Sequence, residues 1–324
     1  MRYDVISIGE LLIDFTDCGI SARGNPLFEA NPGGGPCNTL AMLARLGRKT
    51  AFIGKVGADM FGRMLAGTLE QAGIDTEGLL FDENANTTLA FVHNAPDGER
   101  EFSFYRKHCA DTLLRGEELN AALLSNCSLF HFSSVSMTQE PSRTATASAA
   151  AQAKRAGAVI AFDPNLRKSL WDSLDEARRQ IAWGCSVCDV LKIGDDELRF
   201  LAGEEDLDAC AARLWEQYPQ IRMLFLTKGR AGAEGFWGKH RVSHPAFNVN
   251  TVDTTGAGDT FFGCCLSYVL DISLDGPSEA VLRDMMEFAS AAAALVTAKR
   301  GALRVMPGRE EILELIRKRS DKDF

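Results

Sequence analysis

What is missing from this chain narrows its chemistry first. No apolar run approaches the roughly 20 residues that a membrane-spanning helix requires. Met1-Arg2-Tyr3-Asp4-Val5-Ile6-Ser7 enters a strand directly, without signal-peptide architecture, so a cytoplasmic protein is expected. There is no cationic surplus: Lys and Arg number 35 against 44 Asp and Glu, a formal net charge of -9. That balance argues against nucleic acid and anionic membrane as partners, because either needs a positive face to displace counterions. The 5 histidines, His93, His108, His131, His240 and His244, show no metal-ligand spacing. Nine cysteines, an odd number, are scattered along 324 residues and fit free thiols better than a disulfide framework. Cys185-Ser186-Val187-Cys188 lacks a second ligand pair and reads as buried thiols. No Gly-x-x-x-x-Gly-Lys-Ser/Thr string occurs, which excludes the Walker type of phosphate cradle. Internal repeats, low-complexity tracts and interdomain linkers are absent as well.

What is present is ordinary soluble-protein composition, 46% hydrophobic and 24% charged, enough to bury a sizeable core. Its organising stretch is Asp253-Thr254-Thr255-Gly256-Ala257-Gly258-Asp259-Thr260-Phe261. It follows the alternating run Phe247-Asn248-Val249 and opens onto an apolar helical pattern, so it reads as a strand end, a glycine turn and a helix N-terminus. Gly256, Ala257 and Gly258 let successive backbone N–H groups converge where the helix carries a partial positive charge, a cup that suits phosphate. A carboxylate inside an anion-binding turn is electrostatically awkward unless it has a task. Beside a nucleotide's terminal phosphate, Asp259 can take the proton of an attacking hydroxyl. An ordinary turn with Asp259 capping the helix would account equally for Gly-Ala-Gly-Asp alone.

The flanking residues decide between these. The whole stretch resembles the second signature of the ribokinase-like carbohydrate kinases, the PfkB family. Asn31-Pro32-Gly33-Gly34-Gly35-Pro36-Cys37-Asn38-Thr39-Leu40-Ala41 resembles that family's first signature. The resemblance covers essentially the full chain. It implies an ATP- and Mg²⁺-dependent kinase acting on a small-molecule sugar, with a β-lid over the acceptor. Gly9 to Phe15, Phe104-Tyr105-Arg106 and Asp163-Pro164-Asn165-Leu166-Arg167 resemble the fructokinase branch. Fructose is therefore the expected acceptor, with 2-keto-3-deoxygluconate or ribose as alternatives. A non-catalytic sugar- or nucleotide-binding homologue is the alternative from another class.

By the same resemblance, Asp14, Gly34, Gly35, Asn38, Arg106, Arg167 and Asp259 face the sugar. Asp14 and Asn38 have the acceptor and donor capacity that hydroxyls need. Lys192, Thr227, Gly229, Gly232, Gly256, Gly258 and Ser290 fall on the nucleotide side, Ser290 without a base-specific contact. Glu197 aligns with the acid that positions magnesium through water, although Gly194 stands where many members have Asn or Ser; Asp195 or Asp196 can share that role. Asp253 is a candidate for a monovalent cation such as K⁺. A homodimer through the lid is a further expectation.

Residue order gives the fold class. Units of strand and helix alternate from Leu129 to Leu201: strand 129–134, helix 141–156, strand 159–163, helix 175–183, strand 187–193, helix 195–201. Such alternation predicts an α/β fold, a mostly parallel central sheet with helices on both faces, whose ligands gather at the C-terminal strand ends. Two alternating runs, 88–93 and 100–106, joined by Pro96-Asp97-Gly98-Glu99, predict a hairpin. Together with the extended chain after Leu11 it forms a small β-lid from about 11–30 and 86–107, within one domain spanning 1–324.

Overall fold

The computed structural model describes residues 2–94 and 100–320. The chain opens with β1 (Tyr3–Ile8), β2 (Leu12–Ile20), β3 (Pro26–Gly33), α1 (Gly35–Arg45), β4 (Thr50–Gly57), α2 (Met60–Gln71) and β5 (Ile74–Asp82). It continues through β6 (Leu89–Asn94), β7 (Arg100–Tyr105), α3 (Ala121–Leu124), β8 (Cys127–Ser133), α4 (Ser142–Arg155), β9 (Val159–Asp163) and α5 (Leu174–Val187). Next come β10 (Val190–Gly194), α6 (Asp195–Ala202), α7 (Leu207–Gln217), β11 (Met223–Thr227), β12 (Ala233–Trp237) and β13 (His240–His244). Three helices close the chain: α8 (Ala257–Val269), α9 (Glu279–Thr297) and α10 (Arg309–Ser320).

The large sheet has 9 strands in the order β13-β12-β11-β10-β9-β8-β1-β4-β5. It is parallel from β5 to β11, and the antiparallel pairings, β11 with β12 and β12 with β13, lie at one edge. The strands read as apolar runs because both faces are covered. Val5, Leu129, Val190 and Phe225 point to the face packed by α1, α8 and α9. Their neighbours Ile6, Phe130, Leu191 and Leu224 point to the face packed by α4, α5 and α7. Helices therefore cover both faces, as the βα alternation predicts. Among the described residues no helix is long and apolar enough to cross a membrane, and all nine cysteines are free.

A second sheet of 4 strands, ordered β3-β2-β6-β7, draws on the two segments expected to form the lid. Its register puts Asp14, Ala90 and Phe104 in one row across the strands. Phe15 pairs with Phe91 in the next row, on the opposite face. There Phe15 and Phe91 stack, and Phe28 and Tyr105 pack edge-on against Phe91. The period of two thus turns an acid toward one side and a group of aromatics toward the other. β6 and β7 pair antiparallel as a hairpin requires, and its expected turn at 96–99 lies outside the described residues.

Some boundaries differ from expectation. The segment expected as a strand from Val187 begins only at Val190, because α5 continues through Val187 and takes Cys185 with it. Cys185 and Cys188 are both buried, and burial pushes the Cys185 thiol up to about 12. Phe247-Asn248-Val249 forms no strand. The edge ends at His244, and Pro245, which has no N–H to donate, leads an irregular segment up to α8. The glycine turn is therefore approached from a loop instead of a strand end.

Candidate active site

A cleft of about 560 Å³ lies between the C-terminal ends of β1, β9, β10 and β11, the inner face of the small sheet and the N-termini of α1 and α8. Sequence-distant residues meet here because parallel strands all end on the same edge of the sheet. The cleft is lined by Asp14, Gly34, Gly35, Asn38, Arg167, Lys192, Glu197, Thr227, Gly229 and the run from Thr254 to Asp259.

The N-cap of α8 is Gly256, with φ 74 in the left-handed region. A Cβ there would press on the Ala302 methyl, so only glycine allows this turn. Asp259 follows in the first helical turn, among the free N–H groups. Asn38 Nδ2 donates to Asp259 Oδ2 at 2.8 Å, joining the two signatures across 221 residues. Burial raises the Asp259 carboxyl, while the Lys192 ammonium, the Asn38 hydrogen bond and Arg167 oppose the rise. The result is a carboxylate that is a stronger base than a solvated one, with one oxygen oriented by an amide.

Asp14, expected on the sugar side, sits on β2 of the small sheet. It faces the cleft, and burial pushes it up to about 7, Arg167 acting against that and Asp253 and Asp259 adding to it. Gly34, with φ 125, packs its α-carbon against the Glu10 carbonyl. Gly35 sits beneath Asn165 Nδ2, with Glu10 and Asp259 close by. Arg106 is placed differently from expectation. It is 3% exposed, and its Nε, Nη1 and Nη2 donate to Asp111 Oδ2 at 2.7 Å, Thr138 Oγ1 at 2.6 Å and Val135 O at 3.0 Å. Arg106 thus clamps the base of β7 to the chain below it, and Phe104, two residues earlier, is the residue of this segment that lines the cleft.

Of the residues expected on the nucleotide side, Lys192 donates through Nζ to Asp163 Oδ2 at 2.9 Å and Oδ1 at 3.1 Å. Burial works against the Lys192 charge, yet Asp163, Glu197 and Asp259 outweigh it and hold its pKa up. The ammonium lies against Gly258, where a Cβ would come within 3.0 Å of it. Gly232 and Ser290 do not line the cleft. Gly232, with φ 95, packs against the backbone where the chain leaves β13, and Ser290 is buried in α9, which packs on α8. Glu197 accepts from Leu166 N at 2.6 Å and Gly194 N at 2.7 Å, so each oxygen already braces a strand-end loop. Asp253 accepts from Thr255 N at 2.9 Å, Thr255 Oγ1 at 2.7 Å and Gly301 N at 3.2 Å, tying the turn to the segment after α9.

Glu10 and Asn165 are cleft residues without an assigned role in the sequence reading. Glu10, 4% exposed, accepts Gly35 N–H at 2.9 Å through Oε1, and its Oε2 has no partner. Burial pushes Glu10 up to about 7. Asn165 adopts φ 44, rare for a residue other than glycine, and extends its amide over Gly35. A strand-end acid after an apolar run was visible for Glu10; nothing in the sequence showed its burial.

Comparisons with known proteins place the chain in a family. Residues 3–308 match the family model for the pfkB family carbohydrate kinases. Fructokinase-2 of Solanum lycopersicum is 43% identical over 316 residues, covering 97% of this chain and 96% of that protein. The structure of a fructokinase with bound ATP from Xylella fastidiosa superposes with a TM-score of 0.89 at 32% identity, covering 99% of this chain and 100% of the other. A fructokinase from Vibrio cholerae O395 in its fructose, ADP and calcium ion bound form gives 0.86 at 28% identity, with 97% and 99% covered. With two signatures meeting at Asn38 and Asp259 and a family match across nearly all of its length, the chain belongs to the pfkB family of carbohydrate kinases.

Proposed function

We propose that this kinase transfers the γ-phosphate of ATP to a hydroxyl of fructose, with Asp259 as general base. The observation that carries the base assignment is the partly buried Asn38–Asp259 pair at 2.8 Å, with Asp259 in the first turn of α8. Asn38 fixes one carboxylate oxygen and leaves the other for the attacking hydroxyl. The N–H groups of the α8 first turn face the position of the transferring phosphoryl group. Asp14, on the inner row of the small sheet, accepts sugar hydroxyls, and Arg167, an exposed lining residue, brings a positive charge near both Asp14 and Asp259. Lys192, held by Asp163 against Gly258, supplies a fixed positive charge beside the helix turn.

Mg²⁺ would neutralise phosphate charge as it develops. Among the described residues no group of three or more His, Cys, Asp or Glu could hold a metal ion. The residues present fit a metal carried mainly by the nucleotide's phosphates, with Glu197, Asp195 or Asp196 reaching it through water. A K⁺ ion at Asp253 would have to share oxygens that already accept backbone and hydroxyl protons. The free cysteines support a reducing compartment, the cytoplasm. Exposed Ile20, Leu27, Phe28 and Tyr105 on the small sheet support a homodimer joined through it, which sedimentation velocity would detect.

Fructose as acceptor rests on the fructokinase relatives and on the Asp14 and Arg167 walls of the cleft. Initial rates with fructose, ribose, 2-keto-3-deoxygluconate and fructose 6-phosphate, compared by kcat/KM with ATP and Mg²⁺, test it. Fructose should rank first. A different leader would overturn the substrate while leaving the kinase standing, and an absence of sugar-dependent ATP turnover would favour a non-catalytic binding protein.

A further inference from the structure

A second cavity, of about 760 Å³, opens between α1, α2 and the segment 299–311, and shares no lining residue with the catalytic cleft. Its volume is in the usual range of small-molecule sites, roughly 300–1,000 Å³. The floor is apolar, including Ala41, Ala44 and Leu303. Around it stand Arg45, Lys299 and Arg304, with Glu311 as the acid of the lining. This is a local excess of positive charge on a protein whose formal net charge is -9.

Lys299 lies 3.4 Å from Glu311. Glu311 is further engaged by Gly308 N–H at 2.7 Å. Arg304 donates to the neutral Thr68 hydroxyl at 3.1 Å. Among the described residues neither Arg45 nor Arg304 has a carboxylate within ion-pair distance. The Gly308 hydrogen bond, Lys299 and the nearby Arg45 together lower the Glu311 pKa, and the lining as a whole still sets Arg45, Lys299 and Arg304 against that single acid, an excess that suits a phosphate, whose oxygens match the planar guanidinium fork.

The cavity also touches the catalytic helix. Met306, in its wall, accepts a hydrogen bond from Thr260 Oγ1 at 3.2 Å through its sulfur. Thr260 directly follows Asp259. In the same segment Ala302 packs on Gly256, and Gly301 N–H donates to Asp253 at 3.2 Å. Residues 301–306 are thereby in direct contact with the turn that begins α8 at three points.

We infer that this cavity is a second binding site, taking a phosphorylated small molecule between Arg45 and Arg304, and that its occupancy alters nucleotide affinity through the 301–306 segment. A sugar phosphate and a nucleotide share the required phosphate chemistry, so the probes separate them. Calorimetric titrations use fructose 1,6-bisphosphate, AMP and inorganic pyrophosphate against wild type, Gly258→Val and the double variant Arg45→Ala/Arg304→Ala. A binding event should survive Gly258→Val, which obstructs the catalytic cup. It should weaken at least tenfold in the double variant and recover in part in Arg45→Lys/Arg304→Lys, whose folding is checked by circular dichroism. The effective probe should also shift the apparent KM for ATP of wild type and not that of the double variant. Absence of binding by all three probes would overturn the inference. Loss of the event in Gly258→Val, or its indifference to both arginine pairs, would do the same by assigning it elsewhere.

Discussion

Replacing Asp259 by asparagine tests the central chemical claim with little steric change. The amide is nearly isosteric and can turn its oxygen toward Asn38 Nδ2, keeping the 2.8 Å contact that positions the side chain. What disappears is the charge, and with it the capacity to take a proton. The lost charge also faced Lys192, which retains Asp163 at 2.9 Å, so no buried cation is left without a partner. General base catalysis typically contributes about 10²–10⁴ in rate. At about 1.4 kcal/mol for each tenfold, the barrier should rise by about 3–5 kcal/mol. ATP affinity should hold or improve, since a negative group beside the phosphates has been neutralised. The assay is kcat from coupled ADP release at saturating fructose and ATP, with the Kd for ATP from calorimetry on the same sample. A folded variant with kcat within about threefold of wild type would refute the base assignment. Unchanged kcat with weakened ATP binding would make Asp259 a structural residue of the turn.

Asp14→Ala should weaken sugar binding about ten- to a hundredfold, the range for losing a charge-assisted hydrogen bond of about 1.5–3 kcal/mol, while ATP affinity without sugar barely moves; equal loss for both ligands would refute the lid-side role. Because burial brings Asp14 to about 7, its acceptor form should be lost as pH falls through neutrality, so KM for sugar should rise in that direction and the rise should flatten in Asp14→Asn. Glu10 is carried from its ordinary 4.5 to about 7, so the folded state retains a proton that the unfolded chain gives up earlier. The stability this provides is fully present below about pH 4.5 and is lost as pH rises through about 7, and 1.36 kcal/mol per unit makes that about 3 kcal/mol. The Tm of wild type should therefore fall more steeply from pH 5 to pH 9 than that of Glu10→Gln, and parallel curves would remove Glu10 from the account. Arg106→Leu leaves Asp111 buried without its cation and should cost about 3–5 kcal/mol in urea unfolding. Its KM for sugar should change little, and a large KM effect at unchanged stability would return Arg106 to the sugar.

The sequence alone was sufficient where structure is written in local geometry. Gly256-Ala257-Gly258-Asp259 reads as a glycine turn opening a helix, and α8 begins there, because the needed backbone freedom and N–H groups come from adjacent residues. Asp14 stood out as an acid in the extended chain after Leu11, and its sugar-side role came from the family resemblance. The βα order from Leu129 to Leu201 implied a parallel sheet and a site at its C-terminal edge. Tertiary structure decided what depends on partners far along the chain. The Asn38–Asp259 bond spans 221 residues, and no spacing rule foretells it. Arg106 stands beside lid aromatics in sequence, yet Asp111, Thr138 and Val135 draw its guanidinium beneath the sheet. Glu197 resembles a metal acid by position, but two backbone N–H groups already engage its oxygens. Glu10 looked like the polar end of a strand until α1 and the small sheet closed over it, and burial, a property of the assembled fold, set its protonation.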